Sequence, residues 1–508
     1  MRHVTGGVVP AHTPAALLEG NRGMTRSAWG FLPRCASTLL AIAIQSNASA
    51  QSMEQALTAL PPIGGESVLA FVETTPLVAA EPLAAAEPAT AQPAEAEPLS
   101  QGIRLDEGLI PIANYIQFGD CPVCPPGAAA AAKPKYPTIV VSGAAQIDGI
   151  WFDQDAANQA VVGDARDVAG FRRARLGANG FLAENVRYRM EYDFAFPGRP
   201  NFTDVWVDVF DLPTVGHFKV GQWKQPFSME PATSFRELMF MERSLAFALV
   251  PFRQVGAGFF DTAFDEQATW AWSGYRFPTD QYGNVAGDNG YGMSTRETML
   301  LYNDEYDNVV HLGGNYTYNE PAGNTLRIRS TPEVGFTQLD ANNLTDFPIP
   351  FFVNTGFLPT DSYQVVGGEL AAGFGSLVFQ SEYMYAMLDR PGNTQLNFPA
   401  GYAQLGYVLT GERRKYDKKT AAFTRVIPDV NFGKGNWGAF EIAGRYSALD
   451  CNDQDVQGGR LQDLTCGLNW YLNRYTRFEF NYIHPMLDRP LGNDTHADIF
   501  GTRAQFDF

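Results

Sequence analysis

From about residue 137 to the C-terminus the chain is built of segments of about ten residues whose polarity alternates, separated by Gly, Pro, Asn and Asp. The last stretch, RYTRFEFNYIHPMLDRPLGNDTHADIFGTRAQFDF, shows the pattern. In extended backbone successive side chains point to opposite faces, so Phe478, Phe480 and Tyr482 oppose Arg477, Glu479 and Asn481. Phe500, Thr502, Ala504, Phe506 and Phe508 likewise oppose Gly501, Arg503, Gln505 and Asp507. A water-soluble sandwich also alternates, so number decides: roughly sixteen to eighteen such segments, with no comparable helical period between them, form a sheet that must close or split. No run reaches the ~20 apolar residues of a membrane helix. A membrane protein of this kind must therefore be a closed sheet, because only helices and barrels satisfy every backbone group in lipid. Charged residues are 18% of the chain, low against the roughly 25% of an average domain, and aromatics are 13%. Trp437, Trp470, Tyr471 and Tyr475 stand near segment ends, where an interfacial aromatic girdle is expected. The net charge of −18 argues against a nucleic-acid partner.

The start of the chain points to export. From Met24, Arg26 and Arg34 precede an apolar stretch over Ala36–Ile44, and Ala48-Ser49-Ala50 offers a small-x-small cleavage site. The competing reading is an ordinary buried helix. We divide the chain into a leader region (1–50, start expected at residue 24), a low-complexity Ala/Pro/Glu-rich periplasmic arm (51–135) and a barrel (136–508). The arm contains PLVAAEPLAAAEPATAQPAEAEPLSQ, too poor in large apolar residues to offset its ordering entropy. Cys35 lies ahead of the apolar run, so no lipoprotein anchor is expected, and Cys121 and Cys124 of CPVC suit a local disulfide in an exported chain. Cys451 and Cys466 fall on opposite faces of their strands, which disfavours their pairing.

Charged faces recur along the barrel segments. VRYRMEYDF sets Arg187, Arg189, Glu191 and Asp193 against Val186, Tyr188, Met190, Tyr192 and Phe194; TDVWVDV sets Asp204, Trp206 and Asp208 against Thr203, Val205, Val207 and Val209; AFEIAGRYS sets Glu441, Arg445 and Ser447 against Phe440, Ile442, Gly444 and Tyr446. One connection breaks the pattern: QPFSMEPATSFRELMFMERSLAFALVPFRQV runs some thirty residues without clean alternation, and a connection that long is usually functional. Within it ATSFRELMFMERSLAF has helix-like spacing, so a short helix folded into the lumen is expected, with a plain surface loop as the alternative.

Six stretches carry a family resemblance: FRRARLG (Phe171–Gly177), YRMEYDFA (Tyr188–Ala195), VGQWKQPFSME (Val220–Glu230), FMERSLAFA (Phe240–Ala248), GLNWYLN (Gly467–Asn473) and RFEFNYIHP (Arg477–Pro485). Together, and in this order over about 370 residues, the text resembles the phosphate-selective porins O and P. The resemblance implies an all-β, transmembrane antiparallel barrel of about 16 strands (16–18) in a bacterial outer membrane, with an inward-folded constriction loop. It also implies a homotrimer surrounded by lipid, and a terminal Phe508 similar to the end signal read by the barrel-insertion machinery.

Family members that select phosphate line the path with arginines and hold the anion with a loop lysine and serines. On that resemblance Arg172 and Arg173 match the arginine pair, Asp204 the acidic residue of the next wall and Arg243 the arginine of the loop. Ahead of Thr233 and Ser234, where the lysine is expected, the chain reads Met229, Glu230, Pro231 and Ala232, placing an anion where a cation belongs. Alternation independently puts Arg173, Arg175, Arg187, Arg189 and Lys219 on the lumen face beside Glu191, Asp193, Asp204 and Asp208, a mixture suited to a transverse field. The anion-interacting candidates are Arg172, Arg173, Arg175, Lys219, Lys224, Ser234, Arg236, Arg243 and Asp204; for each arginine a salt-bridged wall role is the alternative. The expected function is passive diffusion of small hydrophilic solutes, anions among them, with no cofactor. A non-conducting envelope barrel anchored through the arm is the alternative. No Ser or carboxylate stands near His217, His311, His484 or His496 at a spacing implying a triad, so no enzyme is expected.

Overall fold

The computed structural model describes residues 136–508 except 196–197, 337–346 and 489–494, together with a short backbone pairing of Arg104–Leu105 with Gly108–Leu109. The leader, the rest of the 51–135 arm, Cys121 and Cys124 lie outside the described residues.

Sixteen antiparallel strands close into one barrel. They are β1 (Val140–Gln154), β2 (Val168–Ala183), β3 (Val186–Asp193), β4 (Asn201–Leu212), β5 (Gly216–Lys224), β6 (Arg253–Ala263), β7 (Ala268–Arg276), β8 (Tyr291–Asn303), β9 (Val309–Glu320), β10 (Ser362–Phe374), β11 (Leu377–Asp389), β12 (Leu396–Val408), β13 (Ala439–Asp453), β14 (Val456–Asn473), β15 (Thr476–Asp488) and β16 (Thr495–Asp507). Each strand pairs with its neighbours in sequence, and β16 closes on β1 with Arg503 opposite Asp148.

The alternation decides which face meets which medium. On β16, Phe500 and Phe506 are 55% and 47% exposed on the outer wall, whereas Arg503 is buried inside the barrel. Moving a phenylalanine ring from water to lipid stabilises by roughly 1.5–3 kcal/mol, and an arginine facing the bilayer midplane costs about 2–4 kcal/mol. A one-residue slip would exchange the two sets and is therefore strongly disfavoured. Trp437 and Tyr475 are exposed near one rim, where Trp470 stacks beside Phe440 at 5.8 Å, as a girdle requires. Tyr471 departs from the expected girdle: it is buried in the interior, its hydroxyl donating to Glu441 at 2.7 Å. Thr203 departs too, because a bulge between β3 and β4 turns it inward, where its hydroxyl donates to Glu191. Cys451 is buried, Cys466 is exposed, and both are free.

One rim carries mostly short turns, the mark of the periplasmic side. The exception on that rim is the connection of residues 409–438 between β12 and β13, part of which, around Arg414 and residues 421–423, folds into the barrel. Arg414 there donates to both carboxylate oxygens of Glu441 at 2.7 and 2.8 Å and to Glu237 O at 2.7 Å, and Arg296 of β8 donates to Ala421 O at 2.8 Å. From the opposite rim two further connections enter: residues 225–252 between β5 and β6, and the described parts, 321–336 and 347–361, of the connection between β9 and β10. Of these three insertions only residues 225–252 were expected from the sequence.

The 225–252 loop does not form the short helix that the spacing of ATSFRELMFMERSLAF suggests. It holds a single α-turn, α1 (Met229–Ala232), and a 3₁₀ turn over Leu245–Leu249. The reason lies in the wall. Donors from the wall and the inserted turn capture successive loop carbonyls: Gln505 takes Arg236 O, Arg414 Glu237 O, Arg477 Leu238 O, Asn469 Met239 O, Arg503 Met241 O and Arg445 Glu242 O. With these carbonyls satisfied by wall donors, the loop no longer needs a helix to pair them. Met239, Phe240 and Met241 then sit over Gly406, Gly467 and Gly501, where an added Cβ would come within 2.7–3.2 Å of them.

Candidate functional site

The lumen left between the constriction loop and the β2–β6 wall contains a chamber of about 520 Å3. Arg172, Arg173, Arg175, Lys224, Arg243, Arg253 and Arg329 line it, against Asp193, Glu242, Asp280 and Glu333. Seven cations against four carboxylates leave it basic, although the whole chain is acidic.

Strand pairing explains the cationic column. Arg175 stands opposite Asp193 across β2 and β3, and its guanidinium binds Asp193 at 2.8 Å and Glu191 at 3.3 Å. Below it Arg189 binds Glu191 at 2.6 Å, and Arg187 binds Asp208 at 2.6 Å. Gly177 lies opposite Glu191, and an added Cβ there would come 2.8 Å from the Met190 backbone oxygen and 3.2 Å from the Glu191 Cβ, so the close approach of β2 and β3 at this point needs a residue without a side chain. The mixed charge expected of this face is therefore organised as ion pairs along the wall.

Arg172 and Arg173 both reach the loop. Glu242 accepts from Arg172 Nε at 2.9 Å, from Arg173 Nη2 at 2.9 Å and from Arg503 Nη2 at 2.8 Å. Burial pushes the Glu242 carboxyl up, but the guanidiniums of Arg172, Arg173 and Arg503 override this and hold it well below the usual range. Glu333, carried into the lumen by the connection between β9 and β10, accepts from Arg445, Ser447 and Thr465 in the same manner.

Lys224 donates to Pro231 O at 2.7 Å and Thr233 O at 3.3 Å, and Arg243 to Glu230 O and Thr233 O, both at 3.0 Å. These two cations brace the loop as well as lining the chamber. Ser234 Oγ accepts from Arg236 N at 3.3 Å, and Arg236 lies 3.5 Å from both Glu191 and Asp507. Asp204 is paired with Arg253 at 3.0 Å. Lys219 sits lower on the wall, its Nζ 4.5 Å from the rings of both Trp206 and Phe260. The structure thus gathers Arg172, Arg173, Arg175, Lys224 and Arg243 around one chamber; Lys219, Ser234, Arg236 and Asp204 do not line it.

Glu230 corrects an expectation. Its carboxylate accepts from the backbone and hydroxyl of Ser244, both at 2.8 Å, and is buried against Arg445 at 3.8 Å, so it does not confront a passing anion. Burial raises its carboxyl, with Arg445 and Ser244 pulling the other way. The amides of Met229 and Glu230 at the start of α1 are taken by Glu382 of β11 at 3.1 Å each. Sequence reasoning missed Glu242, Arg253, Arg329, Glu333 and Arg503. Glu242 and Arg243 share the MER stretch, but their partners lie up to 261 residues away, and no local spacing signals them.

Comparison with known proteins follows the barrel region. The chain is 26% identical to Porin O of Pseudomonas aeruginosa over 373 residues, 68% of this chain and 83% of that one. It is 28% identical to an uncharacterized protein of Caulobacter vibrioides over 368 residues, 67% of this chain and 68% of that one. Among solved structures it is similar to a loop L8 deletion mutant of OmpT, an outer membrane protein of Vibrio cholerae, with 12% identity, a TM-score of 0.46 and coverage of 73% of this chain and 99% of that one. The family model described as phosphate-selective porin O and P matches residues 145–508, the whole closed sheet but its first few residues, and the chain belongs to that family of outer-membrane channels.

Proposed function

We propose that the barrel passes small hydrophilic solutes by diffusion with a preference for anions, acts as a homotrimer, performs no chemistry on its solutes and binds phosphate only weakly. The observation that carries the anion preference is the excess of cations around the chamber. Fixed positive charge on a low-dielectric wall raises the local anion concentration, and several partly paired guanidiniums keep each contact weak enough for release. Weak phosphate binding follows from the loop: the residue positions before Thr233 form a buried turn whose amides are occupied by Glu382, and Lys224 is committed to loop carbonyls.

The test is the reversal potential of the purified protein in a planar bilayer under a KCl gradient, with and without phosphate. The expected result is chloride preference with only weak phosphate block, and a lower preference in Arg173→Ala and Arg243→Ala. Block by low phosphate concentrations would refute the weak-binding reading, cation preference the anion reading, and a silent bilayer the channel reading.

A further inference from the structure

Resting on that reading of the barrel as an anion-preferring pore, we propose that its lumen favours flat aromatic carboxylates, of which benzoate is the simplest, over compact inorganic or aliphatic anions. The inside of a diffusion barrel is ordinarily polar. Here Phe235, Phe247, Phe252 and Phe351 line the chamber. Phe227, Phe240, Phe352 and Phe398 are fully buried and account for packing. Phe247, Phe252 and Phe351 are only half-buried, so packing alone does not explain rings facing this space.

Cations are interleaved with these rings. The Arg175 guanidinium lies 4.3 Å from the Phe235 centroid, Arg253 4.7 Å from Phe252, Arg243 5.0 Å from Phe247 and Arg329 4.3 Å from Phe351. Phe252 is held at φ 50°, a left-handed conformation that is unfavourable for a bulky residue, while its carbonyl closes the base of the loop onto Gln225 N at 2.8 Å. The same alternation continues below the chamber on the β3–β6 wall. Arg187 lies 5.9 Å from the rings of both Trp206 and Phe210, Lys219 lies between Trp206 and Phe260, and His217 stacks on Phe260 at 4.4 Å.

A compact anion uses the cations and gains nothing from the rings. A flat aromatic carboxylate uses both: its ring finds offset or edge contacts with the phenylalanines, and its carboxylate accepts paired N–H groups from a guanidinium. Arg329 is suited to that second role, because among the described residues it has no carboxylate within ion-pair distance and is exposed at the chamber. The chamber volume lies within the range of pockets that enclose small organic ligands.

The test measures inhibition of chloride current through the full-length protein by benzoate, cyclohexanecarboxylate, acetate and inorganic phosphate at one pH and ionic strength. Two ring contacts of ordinary strength make benzoate block at roughly tenfold lower concentration than acetate, with cyclohexanecarboxylate between them. Phe252→Leu and Phe351→Leu, compared only in barrels that keep the folded electrophoretic mobility, shrink the benzoate-to-acetate ratio, and Arg329→Gln weakens block by both acids. Equal block by benzoate and acetate in a conducting wild type overturns the proposal and leaves the channel reading intact. A wild type that passes no chloride removes the channel reading and this one with it.

Discussion

Glu242→Gln removes one negative charge from the edge of the chamber while keeping the side chain's length and one acceptor oxygen. In the wild type that carboxylate touches Arg172, Arg173 and Arg503. An anion passing about 6 Å away feels roughly 0.7 kcal/mol of repulsion from it at the dielectric of water. Screening at 0.1 M salt, with a Debye length of about 10 Å, reduces this to about 0.4 kcal/mol. Removing the charge thus raises the local anion concentration about twofold and lowers that of cations about twofold, so the chloride-to-potassium permeability ratio rises about fourfold. At 1 M salt, where the Debye length is about 3 Å, the same substitution changes the ratio by less than about twofold. Reversal potentials at the two ionic strengths measure both. An unchanged ratio at low salt, or an equal rise at high salt, would show that Glu242 does not act on the permeating ion through its field.

Arg414→Ala leaves the Glu441 carboxylate buried without its guanidinium, which costs about 3–5 kcal/mol and frees the inserted part of residues 409–438 from the lumen; new protease cleavage within 409–438 and a larger single-channel conductance are expected, and full protection refutes the anchoring role. Because the Glu242 carboxyl is depressed in the folded state, its contribution to stability is complete above the unfolded value of about 4.3 and is lost as pH falls through the folded value. Thermal stability in detergent should therefore show no loss from this group between pH 7 and 5, and Glu242→Gln should reduce the dependence on pH below about 4; a variant with the wild-type acid profile contradicts the linkage. Cys466 lies on the outer wall of β14 and Cys451 is buried. With Cys466 as the sole cysteine, a lipid-soluble maleimide should label it in membranes and a brominated lipid should quench the attached fluorophore; labelling only by a charged, water-soluble reagent would place that wall in water.

The outer surface was legible because a strand repeats every two residues and the rule is local: once Phe480 faces out, Glu479 and Asn481 face in. Arg175 and Asp193 were both assigned to the lumen face for the same reason, but their pairing was not legible, because a bulge between Phe181 and Ala183 shifts the register that the short turn would set. The constriction loop was visible only as a break in alternation. Its helix-like spacing misled, because the carbonyls of residues 236–242 go to donors from the wall and the inserted turn, and those choices are made by residues more than a hundred positions away. The 409–438 insertion gave no warning for the same reason: Arg414 is held by Glu441, Tyr471 and Glu237, none of them within its own segment. Glu230, read from its position as a hazard to anions, is turned into the packed interior.

By itself the chain's pattern determined a closed sheet with an apolar outside and a charged inside, because lipid requires every backbone group to be paired and a period of two assigns each side chain to a face. Which charges remain open to a solute was decided only in three dimensions. A carboxylate neutralises whichever guanidiniums closure of the barrel and folding of its three insertions bring within about 3 Å, and attraction at that range depends on distance in space rather than along the chain.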